Sequence, residues 1–77
     1  MKVTLESTSQ IVELCTPDGD VPARIWEGTT EHGVAVIAFI TRITPGTDQR
    51  NEQFEAELLK QRTPSEAARA IPARLVL

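Results

Sequence analysis

A single histidine, His32, and a single cysteine, Cys15, set the first limit on the chemistry of this 77-residue chain. A nucleophile–histidine–acid triad needs a histidine beside its nucleophile, and a tetrahedral zinc site needs four ligands. One residue of each kind completes neither, so the sequence supports no catalytic residue, no metal site and no cofactor. Cys15 follows an apolar run with no base near it and reads as an inert thiol. Ser7, Ser9 and Ser65 lie outside any strand-to-helix elbow of the kind that activates a serine. Gly28 and Gly33 do not match the spacing of a phosphate-cradling loop. Glu52, Glu55 and Glu57 recur at helical spacing, and paired carboxylates can divide acid and base roles when their surroundings separate their pKa values. Arg50, Lys60 and Arg62 are interleaved with them, which is the pattern of a solvated helix face.

Trp26 carries more information. Alternation along an extended segment places Trp26 with Pro22 and Arg24, and places Val21, Ala23 and Ile25 on the other side. A lone tryptophan on the less apolar face either packs under a helix or lies at an interface, where Trp and Arg are enriched. Arg24 beside it and Arg42 on the next extended segment can set cations next to an aromatic ring. Together with Thr30 and His32 of the polar loop they form the candidate ligand-binding group: Arg24, Trp26, Thr30, His32 and Arg42. Such a group suits an anionic or aromatic ligand such as a nucleotide. The competing reading is an arginine stacked on Trp26 at the surface or in a contact between chains, and for His32 an exposed turn residue.

These residues need strands to position them. Lys2–Glu6 alternates, Ser7-Thr8-Ser9 is a polar break, and Gln10–Cys15 alternates again. Thr16-Pro17-Asp18-Gly19-Asp20 is a turn, since proline presets φ, aspartate bonds its local backbone and glycine accepts positive φ. Val21–Glu27 returns as a strand whose Pro22 predicts an edge at its start. After the glycine-bracketed loop, Val34–Ile43 is apolar on both faces, with Val34, Val36, Ala38 and Ile40 on one and Ala35, Ile37, Phe39 and Ile43 on the other. A strand of that kind needs cover on both sides.

Thr47 or Asp48 caps an expected helix over about 48–62, with Phe54, Leu58 and Leu59 as its apolar stripe. Thr63-Pro64 with Glu66 reads as a capping box for a second, shorter helix over about 64–70. The tail Ala73–Leu77 reads as a final strand. The expected fold is a single α+β domain: a small, mainly antiparallel sheet of four to five strands, one amphipathic helix, a short second helix and a C-terminal strand.

A net charge of −3 and a pI near 5.0 argue against nucleic-acid binding, which needs a basic surface to displace counterions. The longest apolar run, Val34–Ile40, is far below the ~20 residues that span a bilayer, so no membrane partner is expected. Lys2 is followed by polar residues and not by a secretory apolar core, and with a free thiol this points to the cytoplasm of the producing cell. A core of this size supplies roughly 3–5 kcal/mol. With no disulfide or zinc to add to it, and too little helix to cover both faces of Val34–Ile43, the expectation is a homo-oligomer, a dimer or higher.

The segments Pro22-Ala23-Arg24-Ile25-Trp26-Glu27-Gly28-Thr29-Thr30 and Ala38-Phe39-Ile40-Thr41-Arg42-Ile43 resemble a group of small proteins encoded by tailed phages and prophages of proteobacteria. The resemblance continues through Gln53-Phe54-Glu55-Ala56-Glu57-Leu58 to Ile71-Pro72-Ala73-Arg74-Leu75. It implies a setting and not a mechanism. Three functions fit a small non-enzymatic chain there. One is an anti-defence protein that sequesters a nucleotide immune signal or inhibits a host immune protein, and another is a minor virion structural or assembly component. The third, a regulator of DNA or polymerase, is disfavoured by the charge and by helices without a basic recognition face.

Overall fold

The computed structural model describes residues 1–47 and 50–77. The chain is α+β, running β1 (Val3–Thr16), β2 (Gly19–Thr30), β3 (Ala35–Ile40), α1 (Asn51–Leu58), α2 (Glu66–Arg69) and β4 (Arg74–Val76). The four strands form one mixed sheet in the order β3-β2-β1-β4. β1–β2 and β2–β3 are antiparallel, and β4 joins β1 in parallel.

The β1–β2 turn lies where expected: Pro17 and Asp18 form it and Gly19 takes the positive φ of 130°. The local side-chain bonds come from Thr16 in place of the expected aspartate, its Oγ1 accepting from the Asp18 N–H (3.3 Å) and donating to the Gly19 carbonyl (2.6 Å). The expected break at Ser7-Thr8-Ser9 is instead an irregularity inside one long strand. The register with β2 shifts between Ser7 and Ile11, and β1 continues on both sides. A bulge of this kind bends a strand without ending it. Thr8, fully buried, fixes the bend by donating from Oγ1 to the carbonyl of Ile25 (2.7 Å).

One face of the sheet carries the core. Val12 and Leu14 of β1 and Ala23 and Ile25 of β2 pack against Ala68 of α2, with Ile37, Ile71 and Leu75 around them. α2 is pinned there at both ends. Its N-cap is Ser65, whose side chain accepts from the Ala68 N–H, so the expected capping box at Thr63 gives way to a cap two residues later. From the sheet, Gln10 Nε2 donates to the Ala68 carbonyl (2.7 Å).

α1 lies against the opposite face, where its Phe54 and Leu58 meet Trp26 across a groove. The two helical segments therefore divide between the two faces. α1 ends at Leu58, and the next residues become extended and pass around the β1 edge. Arg62 N–H donates to the Ser7 carbonyl (3.0 Å) and Ser9 N–H to the Arg62 carbonyl (3.2 Å). Leu59, expected in the apolar stripe, is 82% exposed because the helix has ended beneath it. The residue preceding α1 is Arg50, at φ 62° with no side-chain cap. The proposed cap Asp48 and the start of the helix near residue 48 lie outside the described residues.

β3 is shorter than the apolar run that contains it, and it is the sheet's outer strand. Pro22, by contrast, belongs to a central strand. β3 stops at Ile40, opposite Arg24, so the side of β2 on which Pro22 lacks an N–H is open at that point.

Candidate functional site

The face opposite the core carries two contiguous depressions that meet at Trp26. The larger, about 490 Å³, is bounded by Leu5, Trp26 and Ile43 on the sheet side and by Phe54 and Leu58 of α1, with Lys60, Gln61 and Arg62 at one end. The smaller, about 300 Å³, lies between Ile11, Pro22, Arg24 and Ile40 and the segment Thr41-Arg42-Ile43 that leaves β3. Ser7, Trp26, Ile43, Leu58 and Gln61 belong to both.

Sheet register explains why Trp26 stands at the junction. Trp26 pairs with Ser7 on β1 and Ala38 on β3, two small neighbours that leave space on either side of the indole. Ser7 in turn is held by donating from Oγ to the Lys60 carbonyl (2.9 Å), which ties the floor of the groove to the chain leaving α1.

The two lobes differ in charge. The larger lobe is lined by two carboxylates, Glu6 and Glu57, and two cations, Lys60 and Arg62, over an apolar floor. The smaller is lined by two arginines and no carboxylate. Arg24 is held in place by one nitrogen, Nη1, which donates to the Thr8 carbonyl (2.9 Å). Arg42 is exposed, and among the described residues no carboxylate or carbonyl pairs with its guanidinium.

Of the five residues singled out from the sequence, Arg24, Trp26 and Arg42 come together here. Thr30 and His32 do not line either lobe. Thr30 Oγ1 accepts from the Val34 N–H (3.1 Å) and closes the β2–β3 turn. The His32 side chain is 88% exposed, 3.7 Å from Glu31. Phe54 and Leu58, read from the sequence only as a helix stripe, supply the facing wall.

A second polar cluster escaped sequence reading. Glu27, on the core face of β2, is 7% exposed and takes hydrogen bonds from both the hydroxyl and the N–H (3.0 Å) of Ser65. Arg62 approaches it at 3.7 Å while also reaching Glu6 at 3.8 Å. The Ser65 bonds, and behind them the Arg62 charge, lower the Glu27 pKa below its ordinary value against the opposing effect of burial. Each carboxylate oxygen takes one bond from Ser65, the N-cap of α2, so Glu27 is a clamp that holds α2 on the sheet. At the other end of the core, Arg74 Nη2 donates to Asp20 Oδ2 (3.0 Å) and approaches Cys15 Sγ (3.1 Å), tying β4 to the first hairpin. Among the described residues no three His, Cys, Asp or Glu side chains gather as metal ligands. Among the described residues no helix is long and apolar enough to cross a membrane.

No protein family, curated protein or solved structure matches this chain.

Proposed function

We propose that this chain is a non-enzymatic binding protein whose Trp26 groove takes a small ligand with a flat aromatic part and an anionic part, as a nucleotide has. The observation that carries this reading is the division of one continuous groove into an apolar lobe and an arginine lobe. Trp26, Phe54 and Leu58 offer area for a ring. The second lobe offers Arg24 and Arg42 without a competing carboxylate. Pockets of ~300–1,000 Å³ with apolar walls and a few placed polar groups are typical ligand sites. Arginine, weakly hydrated and forked, suits phosphate recognition there. In the phage setting that the sequence resemblance implies, such a protein acts in the cytoplasm of the producing cell by withdrawing a nucleotide immune signal, or by inhibiting the host protein that responds to it.

Trp26 is the sole tryptophan, so intrinsic fluorescence reports on the groove directly. Titration with mononucleotides and cyclic dinucleotides is expected to change it saturably. Arg42→Ala is expected to weaken binding roughly tenfold, the scale of one charge-assisted contact. Trp26→Ala should leave no ligand in native mass spectra of protein taken from its producing cell. Absence of any saturable change, with no retained small molecule in the wild type, would overturn the reading.

The alternative, a minor virion component, is favoured by a different observation: the open apolar edge at β3. It predicts the chain in purified particles by mass spectrometry.

A further inference from the structure

We infer that the groove selects guanine among the nucleobases, with the Glu57 carboxylate and the Lys60 ammonium reading the base edge in the larger lobe. The inference rests on the reading of the groove as a nucleotide site, and adds to it which base is held and which way round it lies.

Backbone bonds set the two charges in place. α1 ends at Leu58, and the Lys60 N–H donates to the Glu57 carbonyl (3.1 Å), closing the turn that carries both residues. The Lys60 carbonyl accepts from Ser7 Oγ (2.9 Å), and the Arg62 N–H donates to the Ser7 carbonyl (3.0 Å). The turn is thereby stapled to β1 at the position that pairs with Trp26. Four charged side chains line the larger lobe, and two of them are engaged with each other: Arg62 reaches Glu6 at 3.8 Å, and also Glu27 at 3.7 Å. Among the described residues nothing pairs with the Glu57 carboxylate or the Lys60 ammonium, and the two do not pair with one another. The lobe therefore holds one acceptor-only group and one donor-only group, both unspent, beside the apolar surface of Trp26 and Phe54.

Charge decides the orientation of the ligand. A phosphate in the larger lobe would face Glu6 and Glu57, whereas the smaller lobe presents Arg24 and Arg42 with no carboxylate. The phosphate belongs with the arginines, and the base lies against Trp26 and Phe54 with its edge at Glu57 and Lys60. Guanine alone among the common bases presents two adjacent donors, N1–H and the N2 amine, next to an acceptor, O6. The carboxylate takes both donors, and the ammonium donates to O6. Adenine would turn the N1 lone pair toward the carboxylate and offer Lys60 no oxygen. Cytosine and uracil each offer a single donor group on that edge. A bidentate contact of this kind discriminates between bases by roughly tenfold or more.

The test is titration of Trp26 fluorescence with GMP, IMP, AMP and UMP. GMP is expected to bind roughly tenfold tighter than AMP or UMP. IMP keeps N1–H and O6 but lacks the N2 amine, and should fall between them. Glu57→Gln keeps the size and removes the second acceptor, so GMP and IMP should become equal. Lys60→Ala should weaken both by the same factor and preserve their ratio. Both side chains are exposed, so unchanged circular dichroism is expected in each variant. Guanine preference within either series, GMP over AMP or a cyclic guanine dinucleotide over the cyclic adenine one, supports the inference and names the source of the base. Equal dissociation constants across the bases, or a guanine preference untouched by Glu57→Gln, overturn it and leave the groove a nucleotide site. No saturable change with any nucleotide overturns it together with that reading.

Discussion

Glu27 shows how a residue that looks like surface in the sequence becomes a determinant of the fold. It alternates with Ile25 and Ala23, on the face that packs the core. A carboxylate there is tolerable only with hydrogen-bond and charge partners, and Ser65 supplies the bonds and Arg62 the charge. Its pKa is lowered in the folded chain, so the ionised form is the one that stabilises. That contribution is complete above the ordinary glutamate value of about 4.3 and is lost as pH falls below it toward the depressed folded value. The wild-type unfolding midpoint is therefore expected to fall more steeply from pH 6 to pH 3 than that of Glu27→Gln; parallel profiles would contradict the clamp. At neutral pH Glu27→Ala should cost about 2–3 kcal/mol, the range for hydrogen bonds to a charged group, measured by denaturant unfolding. Gly28, its neighbour, is constrained for a different reason. A Cβ there would stand 1.7 Å from the Thr4 carbonyl oxygen of β1, so only glycine lets the two strands approach this closely. Gly28→Ala is expected to destabilise by about 3 kcal/mol, the scale of an overpacked site with rigid backbone on the far side.

Among the elements, β1 is the one that the sequence conveys least faithfully. Ser7-Thr8-Ser9 has the composition of a turn, and polar triplets between apolar runs normally are turns. Here the backbone of Ser7 and Ser9 bonds to Arg62, far along the chain, and the Thr8 hydroxyl bonds to Ile25, 17 residues away, partners that no local pattern can reveal. Thr8→Val keeps the shape, removes the hydroxyl and leaves the Ile25 carbonyl without that donor. It should cost about 1–3 kcal/mol, read as a shift in the denaturant midpoint at unchanged slope. The faces of β2 were legible: alternation separated Ala23 and Ile25 from Arg24 and Trp26, and burial divides them the same way. The order of strands was not. Apolar character on both sides of Val34–Ile43 predicts cover on both faces and says nothing of strand order, in which β3 is outermost. Periodicity reports which side chains share a face and is silent about which neighbour a strand has. For the candidate site the same limit applied. Arg24, Trp26 and Arg42 were within reach of strand pairing, but Thr30 and His32 were grouped with them by polarity alone, and the β2–β3 turn carries them away from the groove.

At the scale of the whole molecule, a thin sheet is covered unequally. α2 seals one face over Ile25 and Val12, while α1 has no buried residue of its own and roofs the other face only in part. The incomplete roof leaves the groove, and the uncovered strand leaves the edge. Because Trp26 has only partial cover, Trp26→Ala should leave the circular dichroism unchanged while removing retained ligand from native mass spectra.

The parallel pairing of β4 with β1 also has a consequence in time. Arg74 and Cys15 stand 59 positions apart in the chain. Contacts of such separation are formed late, because loop closure must be completed before they contribute. On the ribosome, the β1–β2–β3 meander can assemble from neighbouring residues while the flank of β1 destined for β4 is still bare. Until residues 74–76 emerge, Glu13–Cys15 of β1 in each nascent copy lack their parallel partner. Neighbouring copies on a polysome are then exposed to each other along that stretch. Folding yield should therefore fall at high expression, and slowing synthesis after residue 60 should lower it further.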